Sequence, residues 1–245
     1  MATSSPRYVG VASSLMTNLG KGINEYQNLR SFSGKSESKF VPLLEKEIKF
    51  ETKLQAEALA DKDSQTIKYE KEIKTQYTFH EQTGSSIVKL VKSTGSEKIE
   101  VIFDCQDMEE VDEEYTDDMD DEELKMKDEP DMESDDEESG GRLALKFHVS
   151  ITKGDSKLVF SCSTSEGLKI QNIKHLPVDK EITDATLYSG PIFDELEPDL
   201  QHAFYEFLDD RKIDENFADF LFTYAEEKEN AEYFTFLKNT LKFVK

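Results

Sequence analysis

The side chains with most capacity for chemistry in this chain are carboxylates, and they crowd into one stretch. From Asp104 to Glu138 there are 21 acids in 35 residues, with Lys125 and Lys127 as the only bases. The densest runs are Asp117, Asp118, Asp120, Asp121, Glu122 and Glu123, then Asp135, Asp136, Glu137 and Glu138. Paired carboxylates serve as acid and base only where a fold fixes their geometry and shifts one of them. A run of like charges this dense repels itself and buries too little apolar surface to fold alone. The chemistry it offers is therefore electrostatic: a docking or sequestering surface for basic proteins. The plainer alternative is a solubilising bristle with no specific partner. Asp117-Asp118-Met119-Asp120-Asp121 lacks the glycine and the spaced final glutamate of an EF-hand, so only weak, nonspecific divalent binding is expected. Ser134 precedes Asp135-Asp136-Glu137, and Thr116 precedes Asp117-Asp118. Acid-directed kinases favour such contexts, which makes both residues phosphorylation candidates.

Other reactive residues are sparse. His80, His148, His175 and His202 form no recognised metal spacing, and a lone histidine on a strand reads as a packed or surface residue. No phosphate-binding glycine loop, dinucleotide fingerprint or nucleophile elbow is present. Cys105 and Cys162 cannot build a four-ligand zinc site or a disulfide framework; they read as two reduced thiols in strands, and whether they ever pair stays open. This inventory points to a protein that is not an enzyme and needs no cofactor or metal.

The charge is local. The 245 residues carry 53 acids and 30 bases, a net charge of −23, of which the 35-residue stretch supplies −19. The rest is nearly balanced. Such a charge counts against direct binding of nucleic acid or of anionic membranes, both of which need clustered Lys and Arg. Sixteen Phe and nine Tyr are enough for one real core. We read residues 106–141 as a disordered acidic loop bridging two strands, long enough to be functional.

Residues 1–32 contain Arg7, Lys21 and Arg30 but only one acid, Glu25. Ala12, Leu15, Met16, Leu19, Ile23 and Tyr26 make one apolar helical stripe. This is the pattern of a mitochondrial or plastid transit peptide, with a cleavage-like sequence at Arg30-Ser31-Phe32-Ser33. The longest uncharged run, Tyr8 to Gly20, is too short to span a membrane.

The body reads as an α+β protein. A helix is expected from Phe40 to about Ala60, with Pro42 in its first turn. Period-two alternation then marks seven antiparallel strands, the last at Ala185 to Tyr188. From Pro198 the pattern is helical to the end, in three apolar stripes, with Asp214 as an N-cap. The C-terminal stripes are apolar enough to cover more than one surface, which implies oligomerisation.

Several segments resemble the acidic mitochondrial matrix protein family, also called the mitochondrial glycoprotein family, which includes the animal receptor for the globular heads of complement. Phe40-Val41-Pro42-Leu43-Leu44-Glu45-Lys46-Glu47-Ile48 resembles its N-terminal helix, and Gly95-Ser96-Glu97-Lys98-Ile99-Glu100-Val101 a strand of its sheet. Tyr188-Ser189-Gly190-Pro191-Ile192-Phe193 is similar to the entry to its helical end. Asn216-Phe217-Ala218-Asp219-Phe220-Leu221, Glu232-Tyr233-Phe234-Thr235-Phe236-Leu237-Lys238 and Lys242-Phe243-Val244-Lys245 resemble its C-terminal helices. The likeness spans residues 38–245, a single domain. Lys212 stands where many relatives have Gly, which argues against a left-handed cap there.

The resemblance implies a twisted seven-stranded antiparallel sheet flanked by an N-terminal helix and C-terminal helices, in a ring-shaped homotrimer of the mitochondrial matrix. It implies a non-enzymatic chaperone or adaptor for basic proteins such as mitochondrial ribosomal proteins. The implied roles are support of mitochondrial translation, ribosome assembly and oxidative phosphorylation. The alternatives are a scaffold for respiratory-complex assembly acting through the folded ring, or an RNA-processing accessory factor acting through protein partners.

Overall fold

A long helix, α1 (Glu37–Asp61), comes first in the computed structural model, which describes residues 37–111 and 142–245 except Glu166 and Ala185. It starts before Phe40, so Pro42 lies inside the helix rather than in its first turn and removes one i to i−4 bond. A second helix, α2 (Ser64–Gln76), follows where the sequence suggested only a passage to strands. Its signal is local. The Asp63 carboxylate accepts from the Gln65 and Thr66 N–H groups at 2.7 and 2.9 Å, which caps the first turn. Only Ile73 of α2 is buried, so its apolar periodicity is faint.

Six strands form one antiparallel sheet whose spatial order is the chain order: β1 (Thr78–His80), β2 (Ile87–Thr94), β3 (Glu97–Val111), β4 (Arg142–Lys153), β5 (Ser156–Ser163) and β6 (Lys169–Pro177). Gly95 and Gly154, at φ 60° and 61°, supply the positive φ that the two-residue turns β2–β3 and β4–β5 require. The register places Val88 and Leu90 opposite Phe103 and Val101, then Phe103, Val101 and Ile99 opposite Phe147, Val149 and Ile151. Phe147 and Val149 in turn face Cys162 and Phe160. These residues share one buried face. The other face carries Lys89, Lys98, Glu100, His148 and Lys174 on alternate positions, with Ser150 and Val159 buried among them.

The expected seventh strand is absent among the described residues. Asp184 Oδ1 accepts from both the N–H and the hydroxyl of Thr186, at 2.9 and 2.6 Å, which bends the chain locally. Tyr188 is 78% exposed. The β6 edge receives instead a single antiparallel bridge, Asn172 to Ile192.

After a 3-10 turn at Phe193–Glu195 come α3 (Pro198–Asp209) and α4 (Glu215–Val244). Asp214 caps α4, accepting from the Phe217 N–H at 2.9 Å, as its sequence position suggested. The last two apolar stripes run in this one 30-residue helix. Its first half seats Phe217, Phe220, Leu221 and Ala225 over the sheet, where Tyr77 stacks on Phe217 at 5.5 Å and Phe79 meets Tyr224 at 5.2 Å. Farther along, α1 runs beside α4, with Gln55 donating to the Asn230 carbonyl at 3.5 Å and Lys245 pairing with Glu45 at 2.8 Å.

The α3–α4 turn corrects the expectation for Lys212. It has φ 60° and takes the left-handed cap itself. Lys212 N donates to Asp209 O at 2.8 Å and Ile213 N to Leu208 O at 3.1 Å, the paired bonds of a Schellman cap. Ile213 and Leu208 are both fully buried, so the hydrophobic contact of that cap holds lysine where glycine is usual.

Candidate functional site

The β3–β4 hairpin presents the acidic segment. Asp117, Asp118, Asp120 to Glu123, Asp135 to Glu138, Thr116 and Ser134 all lie outside the described residues, as does the N-terminal segment 1–32 read as a transit peptide. The structure places their roots. Pairing continues past Asp104, through Met108–Leu145, Glu109–Ala144 and Glu110–Leu143, to Val111–Arg142. Residues 106–111, assigned to the loop on composition, therefore belong to β3. The ladder defines the extension: Met108, Glu109 and Val111 are half-buried in it, while Asp107 and Glu110 are exposed.

A bulge lies between Phe103 and Met108. There Cys105 N donates to Ser86 O at 3.0 Å, and Asp104 Oδ1 accepts from the Gln106 N–H at 2.9 Å. Beyond it, Glu109 pairs with Lys146 at 2.8 Å and takes the Gln171 amide at 3.5 Å, tying β3 across to β4 and β6. Residues 112–141 contain 17 acids and two bases, a net charge of −15. Both ends of this segment are fixed on adjacent strands, about 5 Å apart. The ladder therefore anchors a strongly negative segment between two paired strands.

The thiols are chemically quiet. Cys105 and Cys162 are buried and free. Burial, with the nearby Asp104 and Glu229 carboxylates, pushes the Cys105 thiol up to about 11, and burial raises Cys162 as well. They sit on β3 and β5, with β4 between. Two strand spacings, about 9.6 Å, exceed the roughly 7 Å a disulfide can bridge. His148 lies on the exposed polar face, and His202 pairs with Glu206 at 3.3 Å on the surface of α3. Among the described residues no three His, Cys, Asp or Glu side chains converge to hold a metal ion. No described helix is long and apolar enough to cross a membrane.

A clasp that sequence reading missed grips the β1–β2 turn beside the β3 bulge. Lys228 of α4 is buried and donates to the Gln82 carbonyl at 3.0 Å and to Glu232 at 2.7 Å, with Glu81 at 3.7 Å. Glu232 also accepts from the Gly84 N–H at 2.7 Å. The i, i+4 spacing of Lys228 and Glu232 is visible in the sequence; the β1–β2 turn they grip is not.

A one-faced antiparallel meander, backed by terminal helices and carrying a polyanionic hairpin, defines an acidic α+β protein. Solved structures share this architecture. A Leishmania major protein, described as a sequence homologue of the human p32 protein, superposes with a TM-score of 0.59 at 18% identity, over 86% of this chain and 99% of the other. The Trypanosoma brucei p22 protein superposes with a TM-score of 0.50 at 19% identity, over 74% and 94%. In sequence, the chain is 29% identical over 184 residues to the mitochondrial acidic protein mam33 of Schizosaccharomyces pombe, covering 69% of this chain and 68% of that protein. An uncharacterised mitochondrial protein of Arabidopsis thaliana is 32% identical over 105 residues, 41% of each chain. The sequence profile of the mitochondrial glycoprotein family matches residues 44–244, and the chain belongs to that family. It is a mitochondrial acidic protein of p32-like fold.

Proposed function

We propose that this protein is a non-enzymatic, homotrimeric chaperone or adaptor of the mitochondrial matrix that captures basic proteins and supports mitochondrial translation, ribosome assembly and oxidative phosphorylation. The observation that carries this reading is the −15 segment held at both ends by the β3–β4 ladder. Such a field raises the capture rate of basic chains and discourages their premature contact with RNA. Individual exposed ion pairs are weak, so binding is multivalent and salt-sensitive. Phe40, Leu43 and Phe50 on α1, with Phe236 and Phe243 on α4, are 43 to 91% exposed in the single chain, which supports assembly with further copies.

The test is a salt-titrated pulldown of ribosomal proteins from matrix lysate. One bait is the intact chain; the other joins Val111 to Arg142 by a two-residue turn. Capture by the intact chain alone, released by moderate salt, is the expected result. Equal, salt-resistant capture by both baits would place function on the folded surface and favour the respiratory-complex scaffold.

A further inference from the structure

The contact between α1 and α4 contains acids that the clasp and the acidic hairpin do not use. Glu47 and Glu51 lie on α1; across from them on α4 are Glu229 and Tyr233, and Glu226 lies one turn before Asn230 on the same helix face. Glu51 is 2% exposed. One carboxylate oxygen of Glu226 is wholly shielded and has no hydrogen-bond partner. Among the described residues, Glu51, Glu226 and Glu229 make no side-chain hydrogen bond or ion pair. The Tyr233 hydroxyl lies 3.5 Å from Glu47, and Gln55 reaches the Asn230 carbonyl.

The neighbouring cations are committed elsewhere. Lys228 serves Gln82, Glu232 and Glu81, and Lys62 serves Glu70 and Glu227. From the sheet, the Cys105 thiol and Asp104 approach the same region as Glu229 and Lys228. Nothing there compensates a carboxylate ion, and a buried ion without a partner strongly disfavours its charged form.

We infer that the α1–α4 seam is a proton-dependent latch, in which Glu51, Glu226 and Glu229 hold α1 docked as neutral acids and loosen it as they ionise. Burial raises all three carboxyls above their ordinary range; Glu47 and Glu229 add to the shift of Glu51, and Glu227 helps bring Glu226 to about 7. The sign follows from linkage. The docked state binds more protons than the undocked state between the ordinary glutamate value, 4.5, and about 7. Docking is therefore tightest in acid, weakens as pH rises through that window, and levels off above it.

Hydrogen exchange on the full chain tests this, with rates corrected for their intrinsic pH dependence. From pH 6 to pH 8 the α1 amides should lose about tenfold in protection through Glu226 alone, while the Val101 and Val149 amides of the sheet stay constant. A chain with Glu51→Gln, Glu226→Gln and Glu229→Gln should protect α1 equally at both pH values. Glu229→Gln, at a half-buried site, should reduce the pH response without removing it. Equal α1 protection in the unsubstituted chain at both pH values would overturn the latch, as would an undiminished pH response in either variant.

Discussion

Arg211 and Glu97 face each other fork to fork: Nε and Nη2 of the guanidinium each donate to a separate carboxylate oxygen at 2.9 Å. The pair joins the start of β3 to the turn between α3 and α4, 114 residues apart in the chain. Arg211 also donates through Nη1 to the Phe207 carbonyl at 2.7 Å and stacks 3.6 Å over the Phe207 ring. Its own carbonyl accepts the Lys92 ammonium at 2.7 Å.

Lysine cannot reproduce that planar fork. Arg211→Lys should cost about 1–2 kcal/mol in urea denaturation at pH 7. The Arg211 bonds hold the Glu97 carboxyl below its ordinary range. A lowered native value contributes stability above the unfolded value, near 4.5, and the contribution is lost as pH falls through the native value. The difference between the native chain and Glu97→Gln should therefore shrink on acidification below about pH 4.5; a constant difference would refute the assignment.

Lys212→Gly should stabilise the fold. A left-handed conformation costs a non-glycine residue roughly 1–2 kcal/mol, part of which glycine returns as unfolded-state entropy. A gain of up to about 1 kcal/mol is expected in the denaturation midpoint, with the m-value unchanged.

Gly190 allows no such freedom. At φ 83°, a Cβ there would lie 1.8 Å from the Ile173 carbonyl oxygen. Gly190→Ala must push the 188–192 segment off β6 and break the Asn172–Ile192 bridge. The expected loss is about 2–3 kcal/mol, and hydrogen exchange at Asn172 and Ile173 should accelerate.

Neither thiol should react in the native state. At pH 8 a maleimide should leave Cys105 and Cys162 unmodified over an hour, and label both within minutes in 8 M urea (on the order of the rate for free thiols). Rapid native labelling of Cys105 would show that the bulge opens.

Strong local patterns were legible before the fold was known. Alternation at Ile99, Val101 and Phe103, and at Leu145, Phe147 and Val149, identified the central strands because one face is fully buried. Asp214 announced α4 through its cap. The errors fell where burial is partial or geometry is distant. α2 buries one side chain, so its helical period hardly shows. Asp107, Glu109 and Glu110 look like loop by composition, yet the ladder holds them as strand. The Thr186 region has strand-forming side chains, but Asp184 captures its backbone. The Lys228 clasp and the carboxyls of the α1–α4 seam depend on contacts between distant segments, which spacing alone cannot reveal.

Strand order that follows chain order also shapes how the molecule folds. Each hairpin closes over few residues except β3–β4, which must close over the 30 residues from 112 to 141. Against a two-residue turn, that closure costs about 2 kcal/mol more in chain entropy. Self-repulsion of the segment adds to this cost at low ionic strength. Pairing of β3 with β4 is thus the slow step in building the sheet, whose other strand pairs are local, before the long-range docking of α4 on it. Added salt should speed refolding of the intact chain much more than that of a chain with the segment removed.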